Sequence, residues 1–186
     1  AVNAFILHLY NNGFKVTVPQ VTTNGKYLSF QDIPSPDERS TRDDILNEGS
    51  EGTYGVRLLE FISGKLLKDV PFTPDILTEC GQVLAQMTIA LQTFESPVLR
   101  VRTSSWSLLS VLDVRQYLDA VQNLEDRAIV SAALDEYERT VMQHLDEFEH
   151  SFIHGDYNEM NIIVHKNSDE YHVKGVIDFG DIHYAP

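Results

Sequence analysis

Apolar positions recur at helical spacing at the start of the chain and again after residue 73. The first helix is predicted over residues 2–10, with Gly13 placed to end it. The second begins at Thr73-Pro74-Asp75, where threonine can cap the helix and proline suits its first turn. It is expected to reach about Phe94. Its predicted inward face carries Ile76, Leu77, Cys80, Val83, Leu84, Met87 and Leu91.

Two further helical segments follow a polar linker that contains Trp106. One is predicted to start at Asp113, with Gln116 three residues later as in a capping box. The other is predicted as one continuous helix from about Glu125 to His150. Its inward face would carry Ile129, Ala132, Ala133, Tyr137, Val141, Leu145 and Phe148.

The segment between the first two helices has the residue pattern of strands. Residues 15–18 and 26–30 are β-prone, and Asn24-Gly25 between them is typical of a hairpin turn. Residues 53–62 predict another strand, which Gly64 ends.

The polar, charged stretch from Ile33 to Gly52 is predicted to be a surface loop. Strands therefore come first and most helices later, before a short β-rich end. This order predicts an α+β fold with two regions, because an alternating parallel sheet would need strands and helices in turn.

Composition narrows the possible partners. The net charge of −14 disfavours nucleic acid and suits a small cationic substrate. No apolar run approaches the ~18 residues of a membrane span, so no membrane association is expected. A single cysteine, Cys80, excludes an internal disulfide and fits a reducing, cytoplasmic setting.

Two motifs near the C-terminal end carry the candidate chemistry. Residues 154–161 read HGDYNEMN and lie between the long predicted helix and an apolar strand. Residues 173–177 predict a second strand, which leads directly into Asp178-Phe179-Gly180-Asp181. Each motif is short, but the two occur here together, in this order and beside strands.

Phosphoryl transfer requires these residue types. One aspartate must accept the proton of the attacking hydroxyl, and a carboxylate and an amide oxygen must hold the metal that bridges the phosphates. Asp156 and Asn161 have the spacing found in the HRDxxxxN motif of protein kinases, with Gly155 in place of arginine. The sequence therefore predicts a kinase-type site.

Two other interpretations of these residues stay open at this point. In one, His154 and Asp156 form a structural turn and Asp178 caps a loop. In the other, the same three side chains activate water in a metallohydrolase. His165, His172 and His183 form no metal-binding pattern such as HExxH, and we interpret them as surface or hairpin residues.

HGDYNEMN followed by VIDFGD resembles the aminoglycoside phosphotransferase and choline kinase superfamily, two-lobed relatives of protein kinases that phosphorylate hydroxyls on small molecules. The similarity extends through Asn12-Gly13-Phe14, residues 56–61, Gly64, residues 72–91 and Trp106. These positions look most similar to the hydroxylysine kinase branch, which implies 5-hydroxy-L-lysine as the phosphate acceptor and GTP as the donor.

The resemblance implies an incomplete protein-kinase-like fold. Residues 1–62 would form a partial N-terminal lobe, and residues 63–186 a partial C-terminal lobe. Asp156 would be the catalytic base, and Asn161 and Asp178 would bind Mg²⁺. His154 would anchor the catalytic loop. The other structural residues at the site would be Gly155, Phe179 and Gly180.

The resemblance also implies a nucleotide site for GTP or ATP. Leu59, Glu60 and Phe61 would form the hinge between the lobes and offer backbone hydrogen bonds to the purine. Ile163 would lie under the base. For Leu59, Phe61 and Ile163, a role as ordinary strand residues in the core fits equally well.

Parts of the family pattern are not found in this sequence. Residues 1–14 contain no acid, and Lys15 follows the first helix, so the usual lysine–glutamate pair is not recognisable. The phosphate-covering loop and the last helices of the larger lobe are also missing. Two hypotheses follow.

In the first hypothesis, the chain is a fragment of an active kinase for 5-hydroxy-L-lysine, or for an aminoglycoside, choline or homoserine. In the second, it is a non-catalytic nucleotide-binding pseudokinase. In both, the 186 residues alone are expected to be inactive.

Overall fold

The computed structural model describes residues 1–32 and 53–186, so the predicted loop over residues 33–52 lies outside the described residues. Three 3₁₀ helices cover Leu67–Asp69, Leu108–Ala120 and Met142–Glu147. The α-helices are α1 (Val2–Asn11), α2 (Pro74–Leu91), α3 (Pro97–Arg100) and α4 (Leu124–Thr140). The described helices include none that is long and apolar enough to cross a bilayer.

Seven strands form three small antiparallel sheets in the described part of the chain. The strands are β1 (Ser29–Asp32), β2 (Thr53–Val56), β3 (Lys65–Leu66), β4 (Ser151–Ile153), β5 (Ile162–Asn167), β6 (Glu170–Val176) and β7 (His183–Ala185). β1 pairs with β2, β4 pairs with β7, and the third sheet has the order β3-β5-β6. This mixture of helices and antiparallel strands confirms the predicted α+β class.

The first two predicted helices are present. In α1, Phe5, Ile6 and Leu9 are fully buried, as their spacing predicts. α2 begins where expected, because the Thr73 hydroxyl accepts a hydrogen bond from the Ile76 N–H at 3.4 Å.

The predicted inward face of α2 is too wide. Ile76, Cys80 and Met87 are buried, but Leu77 and Leu84 are 49% and 40% exposed. The two leucines lie on the rim of the apolar stripe, where they join neither of the apolar clusters formed by the described residues. Burial raises the pKa of the Cys80 thiol, as expected of a packed cysteine.

The predicted hairpin over residues 15–30 is only partly correct. The turn exists: the Thr22 N–H donates to the Lys26 carbonyl at 2.7 Å, and Gly25 has a φ of +73°. The flanking segments, however, pair with distant residues. Val16 bridges Val176, and β1 pairs with β2. Local turn propensity therefore predicted the turn, whereas tertiary packing selected the strand partners.

The predicted strand over residues 53–62 is also shorter than expected, since β2 ends at Val56. Beyond it the chain stays extended and forms a single antiparallel bridge between Pro19 and Leu59. The flanking residues make the hydrogen bonds of this bridge, so the missing N–H of Pro19 removes none of them.

The helices after Trp106 depart most from prediction. A 3₁₀ helix begins at Leu108, capped by Ser107, so the predicted start at Asp113 lies inside it. The long predicted helix stops at Thr140, and a 3₁₀ helix follows before β4. The apolar pattern continues past the break, but the chain has to turn there to reach the sheet.

The inward face predicted for this helix is wrong at four positions. Ile129 is 67% exposed and Phe148 is 42% exposed. Ala132 and Ala133 are exposed as well, whereas Leu134, which the prediction left out, is buried. α4 packs mainly against the two neighbouring 3₁₀ helices and not against the main core. A helix that packs mainly against two 3₁₀ helices at the surface buries a narrower stripe than its periodicity suggests.

In the described part of the chain, two apolar clusters hold the fold together. The larger one joins α1, α2, β4 and the turn after β6 through residues that include Phe5, Met87, Phe152 and Phe179. The smaller one joins α2 to β5 through Ile76, Cys80, Ile162 and Val164, with Leu67 and Val70. Tyr157 packs against both clusters. The division into lobes at residue 62 stays a prediction.

Candidate active site

His154 fastens the loop between β4 and β5. Its Nε2 lies 2.9 Å from the Ile177 carbonyl oxygen, and its Nδ1 lies 3.2 Å from the Asp156 N–H nitrogen. These contacts require Nε2 to donate and Nδ1 to accept, which is the neutral imidazole. Burial lowers the pKa of His154, in agreement with a neutral ring. The ring therefore links this loop to the backbone of Ile177, and its role as an anchor of a catalytic loop stays a prediction.

Gly155 allows the two chemical motifs to touch. Its φ is +81°, and an added Cβ would lie only 2.2 Å from the carbonyl oxygen of Asp181. A side chain here would be strained and would push the loops apart. The predicted structural role of this glycine thus has a steric basis, because its backbone packs directly on the second motif.

The Asp156 carboxylate is held by two amide side chains. Asn158 Nδ2 donates to its Oδ1 at 2.6 Å, and Asn161 Nδ2 donates to its Oδ2 at 2.7 Å. Asn158 Oδ1 in turn accepts from the Met160 N–H at 2.8 Å. The carboxylate is fixed in one orientation, while lone pairs remain on both oxygens.

Sequence reasoning missed Asn158. The sequence does contain an indication of its role, because Asn158 follows Asp156 by two residues in a short loop. Asparagine at such a position commonly forms a hydrogen bond with a residue just before it.

Asn161 and Asp178 lie on adjoining segments. The Asn161 carbonyl accepts from the Ile177 N–H at 2.9 Å, and this bond places the start of β5 beside the residue before Asp178. Among residues 1–32 and 53–186, no donor reaches Asn161 Oδ1, since the amide nitrogen is the atom directed at Asp156. Oδ1 is therefore available as a ligand.

The second motif forms an exposed turn on a buried base. Asp178 has a φ of +59°, and its Oδ1 accepts from the Gly180 N–H at 3.2 Å. Phe179 is buried and packs against the His154 ring, with 4.9 Å between centroids. The phenylalanine secures the turn, so that the aspartate can face the solvent-accessible side.

A cavity of about 380 Å³ lies beside Asp178. It brings together six of the predicted site residues: Leu59, Glu60, Phe61, Ile163, Asp178 and Phe179. Asp156 and Asn161 do not line it. Its wall also includes Ile6, Thr17, Arg57, Ile62 and Ile177, which sequence reasoning did not select. Their role is visible only in the fold, because they come from four separate segments.

Within residues 1–32 and 53–186, the backbone of Leu59 has no hydrogen-bond partner on one edge. The Glu60 N–H donates to the Val18 carbonyl, and the Gln20 N–H donates to the Leu58 carbonyl, each at 2.8 Å. In this antiparallel pattern, the N–H and C=O of the intervening Leu59 point away from the partner segment.

The side chains of the predicted nucleotide site differ in exposure. Phe61 is 86% exposed, whereas Ile163 is buried. The Glu60 carboxylate forms an exposed ion pair with Lys15. The side chain of Glu60 is thus engaged on the outer surface, and its contribution to a ligand would come from the backbone.

The described residues contain no group of three or more His, Cys, Asp or Glu side chains arranged to hold a metal ion. The metallohydrolase interpretation required such a cluster around His154, Asp156 and Asp178. His154 is committed to backbone contacts on both ring nitrogens. The oxygen donors of the two motifs that remain include the Asn161 amide oxygen and the Asp156 and Asp178 carboxylates.

This geometry agrees with the comparison to known families. The whole chain, residues 1–186, matches the family described as APH, phosphotransferase enzyme family. The protein therefore belongs to the phosphotransferase enzyme family. Its relatives include the hydroxylysine kinase of Xenopus laevis, which is 30% identical over 195 residues that cover all of this chain and 49% of the relative.

Other similar proteins support the same grouping. The hydroxylysine kinase of Bos taurus is 31% identical over 149 residues, covering 75% of this chain and 40% of the relative. The chain thus spans about half the length of the curated relatives it matches.

A solved structure shares the fold. The GDP complex of an aminoglycoside 2′-phosphotransferase IIIa variant superposes with a TM-score of 0.57 at 17% identity, covering 99% of this chain and 56% of that one. The predicted kinase-like fold is confirmed.

Proposed function

We propose that the intact protein transfers the γ-phosphate of a nucleoside triphosphate, GTP or ATP, to a hydroxyl group of 5-hydroxy-L-lysine. Family membership supports phosphoryl transfer, and the relatives named hydroxylysine kinase support this acceptor. The single observation that carries the proposal is the Asp156 carboxylate. It is clamped by two amides and lies on a loop packed against the Asp178 turn.

Asp156 would act as the base. Each carboxylate oxygen accepts one amide hydrogen bond, which leaves lone pairs for the hydroxyl of the acceptor. The clamp holds the carboxylate in place before the substrate arrives, so little orientational freedom is lost when the reaction begins. The hydroxyl proton would pass to Asp156 as its oxygen attacks the phosphorus atom.

The cavity beside Asp178 would bind the purine. Its volume of about 380 Å³ is in the range of small-ligand sites, and its floor is apolar, formed by Ile163 and Ile177. The free backbone edge at Leu59 would supply hydrogen bonds to the base. Because backbone groups make these contacts, the geometry is compatible with guanine and with adenine.

Asn161 and Asp178 would hold Mg²⁺. Both offer oxygen ligands, and magnesium commonly binds through one or two such groups together with substrate phosphates. When bound, the ion would neutralise charge on the phosphates. The orientation of Asn161 suits this role, since its Nδ2 already contacts Asp156 and Oδ1 is left for the metal.

A labelled-nucleotide assay of the intact protein tests the proposal, with GTP and ATP as donors. The acceptors are 5-hydroxy-L-lysine, an aminoglycoside, choline and homoserine. We expect Asp156→Ala to lower kcat by about 10²- to 10⁴-fold, the usual contribution of a general base.

Asp169→Ala is the matched control. Asp169 lies in the exposed β5–β6 turn, and among the described residues its ion pair is with Lys166 at 3.5 Å on the surface, so its removal should leave turnover unchanged. Undiminished transfer by Asp156→Ala, or a preference for one of the other acceptors, would refute the proposal or its substrate.

A further inference from the structure

Two arginines differ from the others in how their charge is balanced. Of the six arginines in the described residues, four contact carboxylates, as in the pairs Arg100–Glu95 and Arg139–Glu136. Within residues 1–32 and 53–186, Arg57 and Arg102 have no carboxylate partner. In a chain with twice as many acidic as basic residues, unbalanced guanidinium groups are unexpected.

Both arginines line the same cleft. It has a volume of about 530 Å³ and lies between the first turn of α1, the β1–β2 sheet, α3 and Gly180. Among the described residues, no aspartate or glutamate contributes to its lining. The cleft is therefore a positively charged site on a protein whose net charge is −14.

Their hydrogen bonds hold the two side chains without neutralising them. Arg102 Nη1 donates to the Ile182 carbonyl at 3.1 Å, and Arg57 Nη1 donates to Asn3 Oδ1 at 3.2 Å. Both acceptors are uncharged. A guanidinium has five N–H donors, so each arginine keeps donors for a ligand.

The cleft adjoins the candidate active site. Arg57 also lines the cavity that contains Asp178, and Gly180 follows that aspartate by two residues. We propose that Arg57 and Arg102 form an oxyanion-binding site that holds a phosphate or carboxylate group of a ligand next to the Asp178 turn. Guanidinium groups bind both oxyanions in the same two-pronged geometry, so the chemistry is shared.

Two sources could supply the oxyanion. One is the phosphate chain of the donor nucleotide, and the other is the carboxylate of an amino-acid acceptor. Both of these ligands are inferred from the proposed function, whereas anion binding in the cleft does not depend on it. Pyrophosphate is therefore included as a probe that needs neither a purine site nor turnover.

The test is calorimetric titration of the protein and of Arg57→Gln and Arg102→Gln. The ligands are pyrophosphate, GTP beside guanosine, and 5-hydroxy-L-lysine beside its carboxamide. We expect each variant to bind pyrophosphate at least about tenfold more weakly, since hydrogen bonds between charged groups contribute that much. The variants should also show a shallower salt dependence of binding.

The paired ligands identify the source. If the glutamine variants lose affinity for GTP but not for guanosine, the arginines bind the nucleotide phosphates. If they lose affinity for 5-hydroxy-L-lysine but not for its carboxamide, the arginines bind the acceptor carboxylate. Arg139→Gln removes an equal charge from a surface pair on α4 and should change nothing. Arg102→Lys, which keeps the charge, should retain part of the affinity and controls for loosening at Ile182.

Three results would overturn the inference. The first is pyrophosphate binding that is equal in the protein and in both glutamine variants. The second is no binding of any anion by the unaltered protein. The third is equal losses for GTP and guanosine, since that pattern indicates a structural defect. If pyrophosphate binds through the arginines but no phosphotransfer occurs, only the proposed function fails.

Discussion

Substituting Gly155 with alanine probes the contact between the two motifs. The added Cβ would lie 2.2 Å from the Asp181 carbonyl oxygen, so the loops would have to separate by about 1.2 Å to reach ordinary contact at 3.4 Å. Overpacking of this kind costs about 1–3 kcal/mol. The φ of +81° adds about 1–2 kcal/mol for a residue with a side chain. We therefore expect Gly155→Ala to lower the free energy of unfolding by about 2–5 kcal/mol.

Two other glycines separate these contributions. Gly13 has a φ of +90° and nothing within 4 Å of an added Cβ, so Gly13→Ala carries the backbone cost alone. Gly81 lies inside α2 with open space and a helical backbone, and Gly81→Ala should stabilise by about 0.5–1 kcal/mol. Urea denaturation of the three variants measures their free energies of unfolding and so ranks the three costs. The reasoning is refuted if Gly155→Ala is no less stable than Gly13→Ala.

Three further predictions concern the same loop. Asn158→Ala should lower kcat about 10- to 100-fold, with KM for the nucleotide within about twofold, because a bond that orients the Asp156 carboxylate is lost. His154 has a lowered pKa, so the unfolded chain takes up a proton near pH 6.5 that the folded chain resists, and stability should fall as pH drops below that value. His154→Gln should flatten this acid slope. Tyr157→Phe removes a 2.9 Å hydrogen bond to the Cys80 carbonyl and should cost about 1 kcal/mol. Burial raises the pKa of Tyr157, so its stabilising effect should be lost above about pH 10, and the phenylalanine variant should lack that decline.

Each of these has a contrary outcome. Asn158→Asp keeps an acceptor for the Met160 N–H but loses the donor, and full activity in that variant would contradict the clamp. For His154, an unchanged acid slope in the glutamine variant would show that other groups set it. For Tyr157, the predicted pH dependence is excluded if the phenylalanine variant loses as much stability between pH 8 and pH 11 as the unaltered protein does.

Local pattern predicted much of this molecule correctly. Apolar spacing found α1, and the threonine-proline start found α2, because capping and burial of one helix face depend on neighbours within a few residues. The candidate site residues were also selected locally, since the Asp156–Asn161 spacing lies within a single short loop, and their roles stay a prediction. The same approach failed for the segment over residues 108–150. Its helices break and shift there to meet their packing partners.

The sequence by itself determined which residues can carry the chemistry: a carboxylate and an amide five residues apart, and a second carboxylate after a strand. Only the tertiary structure decided which groups meet. The fold brings Gly155 against Asp181 and gathers Leu59 and Asp178 around one cavity. These contacts join residues far apart in the chain, and their partners depend on how helices and strands pack. No local pattern of residue types contains that information.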